Sequence, residues 1–297
     1  FQDQALKLNY VHDSEYWHIN AEHQNIGKDF RADLGYMPYA DYQVESILVD
    51  RMFYGEPDSL WQEARLSGQW EIKHSDQGEL LEKSLATSFG IDGPMLSYFD
   101  VMFTHADKVG LRFNENIRNI DANTTLFTEN QAVFHADIQP SNKLYAAFDI
   151  TLGDKIDYDN NRLGDYQEFI GNVTYNATKH LEIDLYQTYG TLDAENANVY
   201  KASLTELRLS YQFDVRSYLK LNVVYSDIEQ NPANNPMIDV SRKNNDLSTQ
   251  LIYAYKINPQ TVFFLGYSDF SYQDDDLLSL ERAERTFFTK ISYAWLP

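Results

Sequence analysis

Apolar and polar residues alternate one by one along almost the whole chain, and helical spacing is nearly absent. Period two is the signature of a strand with two unlike faces, so this pattern restricts the fold more than any other feature. Leu207, Leu209, Tyr211 and Phe213 share one parity, against Glu206, Arg208, Ser210 and Gln212. Leu219, Leu221, Val223 and Tyr225 oppose Lys220, Asn222 and Ser226 in the same way. Leu247, Leu251, Tyr253, Tyr255 and Ile257 oppose Ser248, Gln250 and Lys256. Strands are expected near 3–12, 15–25, 41–54, 60–74, 79–91, 95–106, 109–120 and 129–139. Further strands are expected near 143–153, 165–177, 180–191, 203–214, 218–228, 246–257, 261–271 and 284–295. The expected total is about sixteen, with roughly 14–18 as bounds. The first half is noisier: 28–42 fits no strand well and 107–128 is ambiguous.

The solvent of the apolar face is then the question. No apolar run approaches the roughly 18 residues of a membrane helix, and mean hydropathy is −0.51. Neither test detects a membrane barrel, whose strands are only half apolar. The connections discriminate better. "QPSNK" (139–143), "NATKH" (176–180), "DVRS" (214–217) and "INPQ" (257–260) are tight turns. Long polar connections are expected over 153–165, 191–203, 228–246 and 272–284. Short and long thus alternate, as in outer-membrane barrels with short periplasmic turns and long external loops. A soluble sandwich has no reason to sort its loops this way. The expected fold is all-β: one transmembrane antiparallel outer-membrane β-barrel domain over 1–297, in a Gram-negative cell. An even strand count places both termini in the periplasm, and 28–42 is expected as an inward plug or a periplasmic flap. The opening "FQDQALKLNY" lacks a basic start and an apolar block, so either a leader was removed or the chain is a domain of a longer precursor.

Aromatic placement gives an independent check. Tyr175, Tyr211, Phe213, Tyr253, Tyr255, Tyr293 and Trp295 lie at the turn ends of descending strands, on the apolar parity. Tyr189, Tyr225 and Tyr267 lie at the loop ends of ascending ones. Two girdles at headgroup level explain both parity and position. The plainer explanation is that Tyr and Phe are good strand formers.

Two stretches resemble a known family. "YWHINAEHQNIGKDFRADLGYMPYADYQ" (16–43) is similar to the early segment of DUF5916 outer-membrane barrels. "NPQTVFFLGYSDF" (258–270) and "ERTFFTKISYAW" (284–295) resemble that family's closing hairpin. The resemblance implies the barrel and the outer membrane. Members commonly carry a family 9 carbohydrate-binding-type module ahead of the barrel, and no such module is present in this sequence. The resemblance implies no catalytic residues.

Net charge of −21 argues against a nucleic-acid partner, and the absence of cysteine excludes disulfides and thiolate chemistry. His12, His18, His23, His74, His105, His135 and His180 make no paired ligand spacing, and no enzyme is expected. Asp154, Asp157, Asp159, Asp274, Asp275 and Asp276 are weak candidates for Ca²⁺, or simply solvated loop residues, or sites where divalent ions bridge to lipopolysaccharide. No cofactor is expected. The polar parity holds the best functional material: Glu168, Glu182, Asp184, Glu206, Arg208, Lys220, Lys256 and Lys290 are expected to line the lumen. They either set a transverse field that filters solutes or pair into networks that stabilise the wall. The expected function is porin-like, passing small polar solutes or oligosaccharides by charge-filtered diffusion. The alternative is a non-conducting barrel that anchors a glycan-binding module or holds a partner protein. Outer-membrane lipid and lipopolysaccharide are the expected surroundings.

Overall fold

A computed structural model describes residues 3–31, 40–110, 125–258 and 260–294. Fifteen strands form one sheet in which each strand bonds the next in chain order. They are β1 (Ala5–Asp13), β2 (Trp17–Ile26), β3 (Tyr42–Tyr54), β4 (Glu63–His74) and β5 (Leu80–Gly93). Next come β6 (Ser97–Val109), β7 (Leu126–Ser141), β8 (Leu144–Asp157), β9 (Arg162–Asn176) and β10 (Leu181–Ala194). The last are β11 (Ala197–Gln212), β12 (Ser217–Gln230), β13 (Lys243–Asn258), β14 (Thr261–Gln273) and β15 (Glu281–Tyr293). The fold is all-β and antiparallel, and a three-residue 3₁₀ turn at Pro232–Asn234 is the one helical element among the described residues. The sixteenth expected strand, near 109–120, falls largely on 111–124, outside the described residues. Placing both termini on one side requires an even count, which the fifteen described strands do not supply.

The expected alternation of short and long connections does not hold. The connection expected over 191–203 is a two-residue turn, Glu195-Asn196, with both φ positive at 54° and 63°. That geometry matches the twist of the flanking strands and lets β10 and β11 pair to their tips. The connection expected over 153–165 shrinks to 158–161, and only 231–242 and 274–280 stay longer. The reason lies in the ladder. Backbone hydrogen bonds continue after side-chain alternation has stopped, so polar strand ends read as loops in sequence.

The chain comprises two compact units, one of Phe1–Pro94, Tyr98–His135 and Thr151–Gln167, the other of Met95–Ser97, Ala136–Ile150 and Glu168–Pro297. In the first unit, register aligns Ile47, Trp70 and Leu85 across β3, β4 and β5, and Arg51, Leu66 and Phe89 likewise. In the second, Ile183, Leu209, Leu221, Leu251, Tyr267 and Phe287 form one apolar row over six strands. These apolar rows are not covered. Leu85 is 51% exposed, Phe287 74% and Ile291 67%, while the buried hydrophobics are few and several are alanines.

Part of the core lies near strand ends. There Leu81 and Val109 pack with Tyr42 in the first unit, and Leu192, Ala194 and Val199 are buried in the second.

Candidate functional site

The polar face of β10–β15 is ordered by register. Asp184, Arg208, Asn222, Gln250, Ser268 and Thr286 are direct cross-strand neighbours, one per strand. Adjacent side chains on one face stand roughly 4.5–5.5 Å apart, so the row is a continuous belt of hydrogen-bonding groups. One row toward the short turns come Glu182, Ser210 and Lys220, and one row the other way come Tyr186 and Glu206. Arg208 Nε donates to Glu206 Oε1 at 2.7 Å, and Thr174 Oγ1 donates to Asp184 Oδ1 at 2.7 Å. A groove of about 400 Å³ opens here, lined by Asn172, Thr174, Asp184, Tyr186, Glu206 and Arg208 together with Val173 and Leu185. The Arg208 side chain is 62% exposed and Glu206 only 19%, so the pair presents its cation to solvent.

Of the expected lumen residues, Asp184, Glu206 and Arg208 therefore converge. Glu182 and Lys220 sit one row away, each a neighbour of Ser210. Lys220 lies 5.4 Å from the Tyr218 ring centroid. Lys256 pairs with Val262 and Lys290 with Phe264, nearer the short turns. Glu168 keeps the same parity along β9 as Thr174, three rows off. Periodicity put Asn222 and Gln250 on the polar face but singled out neither of them, nor Ser268 or Thr286, as a site residue, because uncharged polar residues look unremarkable until register puts them in line. It also missed Tyr186, Phe270 and Tyr272, exposed aromatics on the polar parity.

The first unit uses its polar face differently. Lys108 Nζ meets Glu129 Oε2 at 3.0 Å and Glu82 Oε1 at 3.8 Å, while Glu129 Oε1 accepts from the Ile156 N–H at 2.7 Å. Lys7 meets Glu22 at 2.8 Å. These charges are paired, and Glu129 is buried. Arg208 of the second unit is also paired, with Glu206, but its side chain stays 62% exposed.

Four of the six Ca²⁺ candidates accept hydrogen bonds within the protein. Asp157 accepts from Asn160 Nδ2 and from Arg162 Nε at 3.0 Å, and Asp154 accepts from the Asn130 backbone and side chain. Asp275 caps the Arg242 and Lys243 N–H groups, Asp274 accepts from the Asp276 N–H, and Asp159 is exposed. No group of three or more ligating acids or histidines converges among the described residues. The plug or flap expected over 28–42 falls largely on 32–39, outside the described residues, and the flanking described parts are held locally. The Lys28 N–H reaches Asp76 Oδ2, the Asp29 N–H reaches Asp3 Oδ2, and Asp41 is buried. Burial pushes the Asp76 carboxyl above its ordinary value, with Asp41 and Asp3 adding repulsion.

On the apolar face, Tyr175, Tyr211, Phe213, Tyr255 and Tyr293 are exposed and Tyr253 is half-buried, while Trp295 lies outside the described residues. Tyr211 and Phe213 meet edge-on with centroids 4.9 Å apart, and Phe213 lies 6.3 Å from Tyr253. Toward the other end, Tyr189 is exposed and the Tyr267 hydroxyl donates to Asp269 Oδ2 at 2.9 Å. Arg282 and Arg285 reach that same oxygen at 2.9 and 3.0 Å, so the carboxylate on this parity is fully paired.

No family model and no curated protein matches this chain. Solved structures similar to it include two mutant forms of the ferric enterobactin receptor PfeA from Pseudomonas aeruginosa. One is 10% identical, covering 91% of this chain and 50% of that chain, with a TM-score of 0.42. The other is 9% identical, covering 91% and 52%, with a TM-score of 0.44. The chain thus spans about half the length of that receptor.

Proposed function

We propose that the sheet spans the outer membrane of a Gram-negative cell as a barrel of the DUF5916 type, with its apolar face in lipid. Its polar face then lines a path for small polar solutes or oligosaccharides, which cross by diffusion. The observation that carries the reading is the pairing of opposites on the same strands. An uncovered apolar face backs a belt running from Asp184 to Thr286. Water is a poor solvent for the first and lipid for the second, so a membrane with an aqueous interior satisfies both. From β2 to β14 the backbone polarity is satisfied, because each strand hydrogen-bonds both of its neighbours along the ladder.

Charge filtering rests on Arg208, whose exposed guanidinium stands over the groove beside Asp184 and Glu206. Solutes with carboxylate or hydroxyl groups find donors and acceptors at one level of the wall. Purified protein in planar bilayers is expected to pass ion current. Replacing Arg208→Gln and Glu206→Gln is expected to change the ratio of cation to anion permeability. Folded protein that carries no current would replace the channel with a non-conducting anchor or scaffold.

A further inference from the structure

A second chemistry sits on the apolar face of the first unit. Register pairs Trp17 of β2 directly with Arg51 of β3, a cation placed on the parity of Ile47, Leu66 and Phe89. Three rings surround its guanidinium: Tyr16 at 4.8 Å, Trp17 at 5.1 Å and Phe53 at 5.2 Å from ring centroid to Cζ. Tyr54 closes the group, 6.0 Å from Tyr16, with its hydroxyl donating to the Glu15 carbonyl at 2.8 Å. All four rings are exposed. A guanidinium carries five N–H donors, and here one protein acceptor meets it, the Tyr16 carbonyl at 3.2 Å from Nη1. Among the described residues no carboxylate lies within ion-pair distance of Arg51. The contrast with Arg282 and Arg285, on the same parity, is direct, since both rest on Asp269.

Location adds the second constraint. Arg51 lies three residues from the end of β3, which puts it about 10 Å from the strand end at 3.3 Å per residue. Its partner Trp17 opens β2, next to the tight turn that follows β1. An aromatic girdle meets headgroups at such a depth. A planar donor fork held between rings, lacking a protein anion, matches a phosphate oxyanion in shape and charge.

We infer that Arg51, with Tyr16, Trp17 and Phe53, forms a binding site for the phosphate of an anionic membrane phospholipid. The inference rests on the membrane reading above but not on conduction. The rings fix the guanidinium plane and shield its faces, and the lipid phosphate supplies the missing counter-ion.

The test is native mass spectrometry of the full chain in detergent, titrated with phosphatidylglycerol, alongside insertion into phosphatidylcholine vesicles. The wild type is expected to retain lipid adducts that fall about tenfold in Arg51→Gln, with Arg51→Lys between them because an ammonium lacks the fork. Phe53→Ala, which keeps the charge, is expected to weaken retention about threefold, and Lys220→Gln on the polar face to leave it unchanged. Sheet content by circular dichroism serves as the folding check, and Arg51→Lys keeps the inference open to test should Arg51→Gln not fold. Equal lipid retention in wild type and Arg51→Gln, with both inserting in vesicles, overturns the site alone. Failure of the wild type to insert overturns the membrane reading on which it rests. Displacement of the lipid by inorganic phosphate at equal concentration overturns the lipid assignment in favour of a free-phosphate site.

Discussion

Two portions of the same strands obey different rules. In β10 the stretch Leu181–Leu185 alternates cleanly and leaves its apolar side chains uncovered, with Leu185 43% exposed. A few residues on, Thr191, Leu192 and Ala194 are all buried. The first portion is stabilised by whatever medium faces it. The second is an ordinary protein interior, closed by the 231–242 connection. Asn234 Nδ2 donates to the Ala194, Ala197 and Asn198 carbonyls at 2.9–3.3 Å, and Asn235 Nδ2 donates to the Val199 carbonyl. Strand length says the same. A 16-residue strand such as β11 is about 53 Å long at 3.3 Å per residue, while a membrane crossing needs about 9–11 residues. The surplus is the second portion.

Placing a cation in the first portion gives the largest expected effect. Leu209→Arg lies mid-row on the apolar face and is expected to cost about 2–4 kcal/mol of folding stability in lipid bilayers. Ser210→Arg, one residue away on the polar face, is expected to cost little. Urea unfolding from vesicles measures both, and equal costs would erase the distinction between faces.

The second portion fails by steric crowding instead. Gly153 in β8 has φ of +139°, and a Cβ there would meet the Asn130 carbonyl oxygen at 2.0 Å. Gly153→Ala is expected to cost about 2–3 kcal/mol, from the disfavoured backbone and the clash together. The loss is expected to be similar in detergent and in lipid, because the site does not depend on the medium. Asn234→Ala comes next, at about 1–3 kcal/mol, since it leaves buried carbonyls without a donor. Hydrogen exchange at the tip of the β10–β11 hairpin is expected to speed up in that variant while exchange near Leu185 stays slow.

The smallest effect belongs to a turn of the first portion. Asp214 accepts from the Arg216 and Ser217 N–H groups, and the Arg216 bond chiefly holds its carboxyl below the ordinary 3.8. Its folded value lies below its unfolded one, so its contribution is complete above about pH 4 and is lost as pH falls through the lower folded value. Asp214→Asn is expected to be less stable than wild type at pH 7, with the gap closing in acid. A gap that widens in acid would contradict that sign.

Sequence periodicity located the first portion well, because apolar and polar side chains alternate there at every residue: Leu207, Leu209 and Tyr211 are found opposite Glu206, Arg208 and Ser210 as expected. It failed in the second portion, where neighbours from other strands fix burial and both parities turn polar. Asp193, Asn198 and Lys201 looked like loop and are ladder residues. The candidate site was half legible. Asp184, Glu206 and Arg208 declare themselves by charge, whereas Asn222, Gln250, Ser268 and Thr286 become a belt only through register. The Arg51 cluster was invisible for the same reason, since the pairing of Trp17 with Arg51 is set across the 27–41 connection.

The chain contains no cysteine, so single cysteines can be introduced and spin-labelled without background. Labels at Glu206→Cys through Tyr211→Cys, in protein reconstituted into bilayers, report collisions with oxygen, which concentrates in lipid, and with a water-soluble nickel complex. The membrane-spanning sheet predicts oxygen access at 207, 209 and 211 and nickel access at 206, 208 and 210. Labels at 207, 209 and 211 shielded from both reagents, or as open to nickel as their neighbours, would show that the apolar face does not meet lipid.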